Sequence, residues 1–234
     1  MTKHLTLLLI LSVGFSQQEY NIDDLIEMDN GLWTVKFSDE PVTGKVFGYF
    51  GEPNNPKKVY IGNLRNGKKE GKMVSYYHST GKKSFECNYK DGELDGLKTN
   101  WYENGQREQE ATFKDGELDG LITDWYENGQ KKSKKSYKDG KKDGLWIEWH
   151  ENGQKGFEGN FKDGKREELQ TQWYENGQKM GVGSFKNGKL HGLETRWYEN
   201  GQKWMEVAYK DGKVILGIEW NRDGSIKETL IEKK

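Results

Sequence analysis

A 24-residue period constrains this chain more than any other feature of its sequence. Glu-Asn-Gly-Gln recurs at Glu103–Gln106, Glu127–Gln130, Glu151–Gln154, Glu175–Gln178 and Glu199–Gln202. Half a period later, Gly92, Gly116, Gly140, Gly164, Gly188 and Gly212 each follow an Asp or Asn. A fixed period of this length implies a stacked array in which one supersecondary unit is reused.

Within one copy, Gly96–Asp119, both Leu97–Tyr102 and Gln106–Phe113 alternate apolar and polar residues. Two strands joined by a tight turn at Glu103-Asn104-Gly105 follow. A two-residue Asn-Gly turn would pair Glu103 with Gln106. A three-residue loop with Gly105 left-handed shifts the pairing by one and reverses which side chains share a face. The second register segregates polarity better and is the expectation. It places Leu97, Thr99, Trp101, Arg107, Gln109, Ala111 and Phe113 on one face. Lys98, Asn100, Tyr102, Gln106, Glu108, Glu110 and Thr112 take the other. In later copies Leu145, Ile147, Trp149, Phe157, Gly159 and Phe161, and Leu193, Thr195, Trp197, Met205, Val207 and Tyr209, would line the apolar face. The same rule sets Arg107, Lys131, Lys155, Lys179 and Lys203 opposite Trp101, Trp125, Trp149, Trp173 and Trp197. A cation beside an indole is worth about 0.5–1 kcal/mol when exposed, and the long basic stems also shield the rings from water.

The other connection, Lys114-Asp-Gly-Glu-Leu-Asp-Gly120, calls for positive φ at both glycines. Its carboxylates, Asp115, Glu117 and Asp119, have the oxygen density calcium requires. Later copies lose them, as in Lys141-Lys142-Asp143 and Lys189-Leu190-His191. Turn chemistry alone accounts for the Asp-Gly pairs, so no metal or other cofactor is expected.

Hairpins joined this way predict an all-β fold: an elongated, twisted single-layer antiparallel β-meander. Roughly fourteen strands at about 4.8 Å would span on the order of 65 Å. Only 32% of the chain is hydrophobic, 32% is charged, and mean hydropathy is −1.06. These values suit a thin sheet with much surface rather than a thick core. Residues 17–60 read as a degenerate start and first hairpin, with a turn at Asp29-Asn30-Gly31 and an insertion at Glu52–Pro56. Residues 61–234 form the repeat array. Glu168 replaces the glycine of Gly96, Gly120, Gly144 and Gly192, which predicts a local distortion. Trp220–Gly224 is one residue out of period. The last strand carries Lys227, Glu228, Glu232, Lys233 and Lys234, charges that discourage edge-to-edge pairing.

The start of the chain reads as an export signal spanning residues 1–16. Lys3 and His4 precede an apolar run of 11 residues, Leu5–Phe15, shorter than the roughly 20 a membrane-spanning helix needs. Gly14 and Ser16 predict cleavage after Ser16. The mature chain would be periplasmic, held in the envelope or extracellular. No cysteine near residue 17 offers a lipid anchor. Cys87 is the sole cysteine, so no internal disulfide forms.

With 37 basic and 38 acidic residues, the overall charge gives no basis for nucleic-acid binding. The most basic stretch, Lys131–Lys142, reads as a solvated face. His4, His78, His150 and His191 are scattered. No nucleophile elbow, metal-ligand spacing or phosphate loop is present, so the chain is not expected to be an enzyme.

The unit Gly-Leu-x-x-x-Trp-Tyr-x-Asn-Gly-Gln…Tyr/Phe-Lys-Asp-Gly resembles the variant MORN repeat (membrane occupation and recognition nexus). With its Leu32-Trp33…Lys36-Phe37-Ser-Asp-Glu-Pro…Thr43-Gly44 opening, the whole chain is similar to exported members of the bacterial YwqK-type antitoxin group. That resemblance implies a hairpin array and an antitoxin or immunity role, or recognition of protein or membrane. A conventional antitoxin meets its toxin in the cytoplasm, whereas this chain reads as exported. The expected function is therefore a non-enzymatic scaffold. Its Trp101, Trp125, Trp149, Trp173 and Trp197 column, with the facing Arg107, Lys131, Lys155, Lys179 and Lys203, would hold another protein. The alternative occupant is an envelope lipid or cell-wall glycan, and self-association through either face stays open.

Overall fold

The computed structural model describes residues 18–231. The expected leader at residues 1–16, and Glu232, Lys233 and Lys234, lie outside the described residues. The fold is an 18-stranded sheet. From Gly44–Phe50 to Ile226–Ile231 its strands pair antiparallel with their sequence neighbours. This is the expected meander, and two local devices build every copy.

The first device is the turn pair. Asp139 and Gly140 have φ of +46° and +70° and close a two-residue hairpin in which Lys138 faces Lys141. Positive φ at both central residues defines the type I′ turn, whose twist matches that of the strands. At the other end, Glu127-Asn128-Gly129 forms the three-residue loop. Gly129 takes φ +84°, and its N–H donates to the Tyr126 carbonyl at 2.9 Å. The Asn128 carboxamide oxygen accepts from the Gln130 N–H at 2.9 Å, which explains why Asn-Gly-Gln recurs as a unit. Trp101 faces Arg107, as the chosen register requires.

The second device is a pair of β-bulges, and these correct the expected faces. Arg107 faces Trp101, but Gln109 faces Asn100, so Glu108 is extra. A bulge puts two residues against one and reverses the alternation beyond it. Gln109, Ala111 and Phe113 therefore lie on the face opposite Leu97, Thr99 and Trp101, while Glu110 and Thr112 move to the tryptophan side. The same correction separates Phe157, Gly159 and Phe161 from Leu145, Ile147 and Trp149, and Met205, Val207 and Tyr209 from Leu193, Thr195 and Trp197. Polarity could not reveal this, because the bulge residue varies freely: Glu108, Lys132, Gly156, Met180, Trp204.

A wider bulge follows the type I′ turns of the later copies. Phe113 faces Leu118 and Ala111 faces Ile122, which leaves Asp119–Leu121 against Thr112 alone. Gly120 there takes φ +130°, as expected from its sequence context. In the last copy Tyr209 faces Val214 and Ala208 faces Leu216, so Ile215 alone is extra and the net excess is one residue instead of two. That absorbs the break in period without disturbing the alternation.

Glu168 sits in this bulge with φ +58°, and the expected distortion is present. Glu158 faces Thr171 and Asn160 faces Glu167, so the bulge has moved one residue along the strand. A left-handed residue with a Cβ costs about 1–2 kcal/mol. The Glu168 carboxylate recovers part of this by accepting from the Asn160 side chain at 2.9 Å. Glu168→Gly is expected to stabilise the array by about 1 kcal/mol, read as a higher urea midpoint. A lower midpoint would mean that the hydrogen bond outweighs the strain.

The beginning of the chain departs from the meander. Glu19–Asn21 pairs parallel to Gly44–Phe50 at the sheet edge. Leu25–Glu27 and Trp33–Val35 form a separate small hairpin. Leu25, Val42, Val46, Phe50, Ile61 and Leu64 bury one another there in the main apolar cluster. This cluster caps the first strand of the array, and the 24-residue pattern held no sign of it.

Candidate functional site

The two faces of the sheet carry different columns of side chains. On the tryptophan face, Leu97, Leu121, Leu145, Leu169 and Leu193 form an apolar stripe, each 42–55% exposed. Beside it, toward the three-residue loops, stand Trp101, Trp125, Trp149, Trp173 and Trp197, all half-buried. Their cross-strand partners Arg107, Lys131, Lys155, Lys179 and Lys203 are exposed. The ten sequence-predicted residues thus come together as one double column. The cation contacts run along the array and not, as expected, across the strands to the facing indole: Lys83 Nζ lies 5.0 Å from the Trp101 ring centroid, one copy on. Lys155 Nζ lies 5.9 Å from the Trp173 ring centroid and Lys203 Nζ 5.8 Å from that of Trp220, each in the following copy. Several of these cations also meet a glutamate three residues on: Arg107 pairs with Glu110, Lys155 with Glu158 and Lys203 with Glu206. The bulge between the partners makes that spacing possible.

The opposite face carries a tyrosine ladder that the sequence reading missed. Tyr102 Oη donates to the Trp125 carbonyl at 2.8 Å, Tyr126 to Trp149 at 2.8 Å and Tyr174 to Trp197 at 2.8 Å. Tyr77 and Tyr198 extend it to Trp101 at 2.6 Å and Trp220 at 2.9 Å. In the one copy without tyrosine, His150 Nε2 lies 3.0 Å from the Trp173 carbonyl. Burial, reinforced by nearby glutamates, pushes the phenols of Tyr77, Tyr102 and Tyr126 up, which keeps them as donors. The recurrent Trp-Tyr dipeptide was the available signal. Its tyrosine was read as a strand residue rather than a link between copies. The asparagines add rungs: Asn104 and Asn152 donate to the Glu127 and Glu175 carbonyls at 3.0 and 2.7 Å.

The tyrosine face also holds an open groove of about 640 Å³ across the middle copies. Lys142, Trp146, Phe157, Phe161 and Arg166 line it, and Glu148 and Glu175 stand at the loop-side wall. Beyond Arg166 it runs into a smaller depression of about 110 Å³ at Gly181 and Gly183. On the N-terminal side Asp124 occupies the same face. Burial raises its pKa, but hydrogen bonds from Ser133, Gln109 and Lys135 outweigh that and hold the carboxyl below its usual range.

Among the described residues no group of three or more His, Cys, Asp or Glu is placed to hold a metal ion. His78 stacks on Phe50 at 5.0 Å, and His191 Nδ1 lies 3.3 Å from Asp211. Cys87 is buried, and burial pushes its thiol up. Among the described residues no helix is long and apolar enough to cross a membrane.

Five stretches, residues 94–115, 118–139, 142–163, 169–187 and 190–211, match the family profile of the MORN repeat variant. No curated protein matches the chain.

Proposed function

We propose that this MORN-repeat protein is a non-enzymatic scaffold whose tryptophan face recognises a protein partner. The observation that carries the reading is the leucine stripe. Five leucines recur at one position, each 42–55% exposed, beside a column of tryptophans and cations. Within the described residues no second layer covers them. The leucines stand on every second strand and alternate with Thr112, Ser136, Asn160 and Ser184; exposed apolar patches beside such a column mark interaction sites, and tryptophan and arginine are among the residues that dominate interfaces. The immunity-like form of this reading has the chain exported and its partner a toxin acting in the envelope. A second reading, an envelope lipid or glycan as occupant, draws on the same indole-plus-cation column.

Trp149→Ala/Trp173→Ala is expected to weaken capture of a protein from envelope extract at least about tenfold. Lys131→Ala/Lys179→Ala, which changes only exposed side chains, keeps the experiment informative if the tryptophan variant loses its fold. Unchanged capture in both variants would overturn the assignment of the face. Retention of lipid or cell-wall material, with no protein, would favour the second reading.

A further inference from the structure

The groove on the tyrosine face departs from the repeat in a way the fold does not require. The position held by Leu94, Leu118, Leu190 and Val214 in other copies, and by Lys69 in the first, is Lys142 and Arg166 in two adjacent ones. Lys142 Nζ stands 3.9 Å from the Trp146 ring centroid and 5.4 Å from that of Phe161. The Arg166 guanidinium stands 5.2 Å from the Phe185 centroid. Aromatic faces hold both cations in place. The neighbouring cations Lys135, Lys162 and Arg196 are paired with Asp124, Asp143 and Glu194. Among the described residues Lys142 and Arg166 have no carboxylate partner.

The floor changes in the same copies. Cys87, Ala111, Lys135 and Val207 share a position that is Gly159 and Gly183 here. Gly183 borders the smaller depression, whereas at Gly159 the Gln170 side chain and the Phe157 ring fill the place a side chain would take. The groove itself, about 640 Å³, lies within the range of ligand-sized pockets. The charge is also sided. Glu148 accepts from the Trp146 indole N–H at 2.8 Å on the loop-side wall, whereas Lys142 and Arg166 stand near the type I′ turns. Two strand spacings separate the strands that carry them, about 9.6 Å.

We propose that this groove binds an extended acidic peptide segment. Its carboxylates pair with Lys142 and Arg166, and an apolar or aromatic side chain rests on Trp146, Phe157 and Phe161. The groove opens on the face opposite the tryptophan column, but Trp149 and Trp173 also reach its lining, so Lys131→Ala/Lys179→Ala, and not the tryptophan variant, separates this site from the reading above. Charge-assisted hydrogen bonds to the two cations select the carboxylates, and the glutamates at the loop-side wall set the orientation by repelling them.

The test is selection of a phage-displayed random-peptide library on the full chain, with fluorescence anisotropy of the enriched peptides. Peptides combining Asp or Glu with an apolar side chain are expected. Lys142→Leu/Arg166→Leu, which restores the residue other copies carry, is expected to weaken them at least about tenfold, and added salt to weaken them further. Lys131→Ala/Lys179→Ala removes two cations from the other face and is expected to leave affinity unchanged. No acidic enrichment, or equal affinity for the leucine variant, would overturn the proposal. Equal losses in the two double variants would also overturn it, because they would mean non-specific attraction. None of these outcomes touches the role of the tryptophan face.

Discussion

Replacing Tyr77, Tyr102, Tyr126, Tyr174 and Tyr198 together with phenylalanine is expected to destabilise the array by about 5 kcal/mol. The estimate takes about 1 kcal/mol for each hydrogen bond in the ladder. Phenylalanine keeps the ring and its packing, so the substitution isolates the hydroxyl. Each hydroxyl reaches a carbonyl of the next copy, 22 to 24 residues away, at 2.6–2.9 Å. The bonds therefore hold successive copies together at their loop ends, outside the strand ladder. In an array whose units contact only their neighbours, such terms add. Tyr126→Phe alone should then cost about 1 kcal/mol, with the urea m-value unchanged. A total loss below about 2 kcal/mol for the five-fold variant would mean that water replaces the phenols at little cost.

The second large effect is a coupling between Val207 and Gly217. Val207 is 0% exposed and faces Gly217 across the strands. A Cβ at Gly217 would lie 2.6 Å from Val207 Cγ2 and 3.0 Å from the Val207 Cα and Glu206 carbonyl oxygen. Gly217→Ala is thus expected to cost about 2 kcal/mol through overpacking. Val207→Ala is expected to cost about 2 kcal/mol through two lost methyl groups and the void they leave. Combined, the new methyl at 217 fills part of the space vacated at 207. The double variant should lose no more than about 2 kcal/mol, a coupling of about 2 kcal/mol between the two sites. Simple additivity in urea melts would show that the backbone contacts, and not the valine methyls, exclude a side chain at Gly217.

The turns were legible in the sequence because their chemistry is local. Asp139-Gly140 and Glu127-Asn128-Gly129 need positive φ at particular positions, and only a few residue types accept it. The cross-strand pairing of Trp101 with Arg107 followed from the loop alone. The same holds for the strain at Glu168, visible as a missing glycine. Legibility ended at Glu108. A bulge is a choice made between two strands, and its residue has no fixed chemistry from copy to copy. The fate of Ala111, Phe113, Val207 and Tyr209 was therefore misread while that of Leu97 and Trp101 was not. The tyrosine ladder left only the recurrent Trp-Tyr dipeptide as a sign, since its acceptor is a backbone carbonyl about one period away.

The groove illustrates the same division. Lys142 and Arg166 in a leucine position, and Gly159 in a side-chain position, are visible when the copies are aligned. Which side of the sheet they share depends on both bulges of each hairpin. The sequence by itself determined the period, the two turn types and the meander, because glycine and asparagine write backbone dihedrals directly into the chain. The tertiary structure alone decided which side chains face together, and where the N-terminal core, the ladder and the groove lie. Those follow from register between strands, and one extra residue in a strand moves every side chain beyond it to the other face.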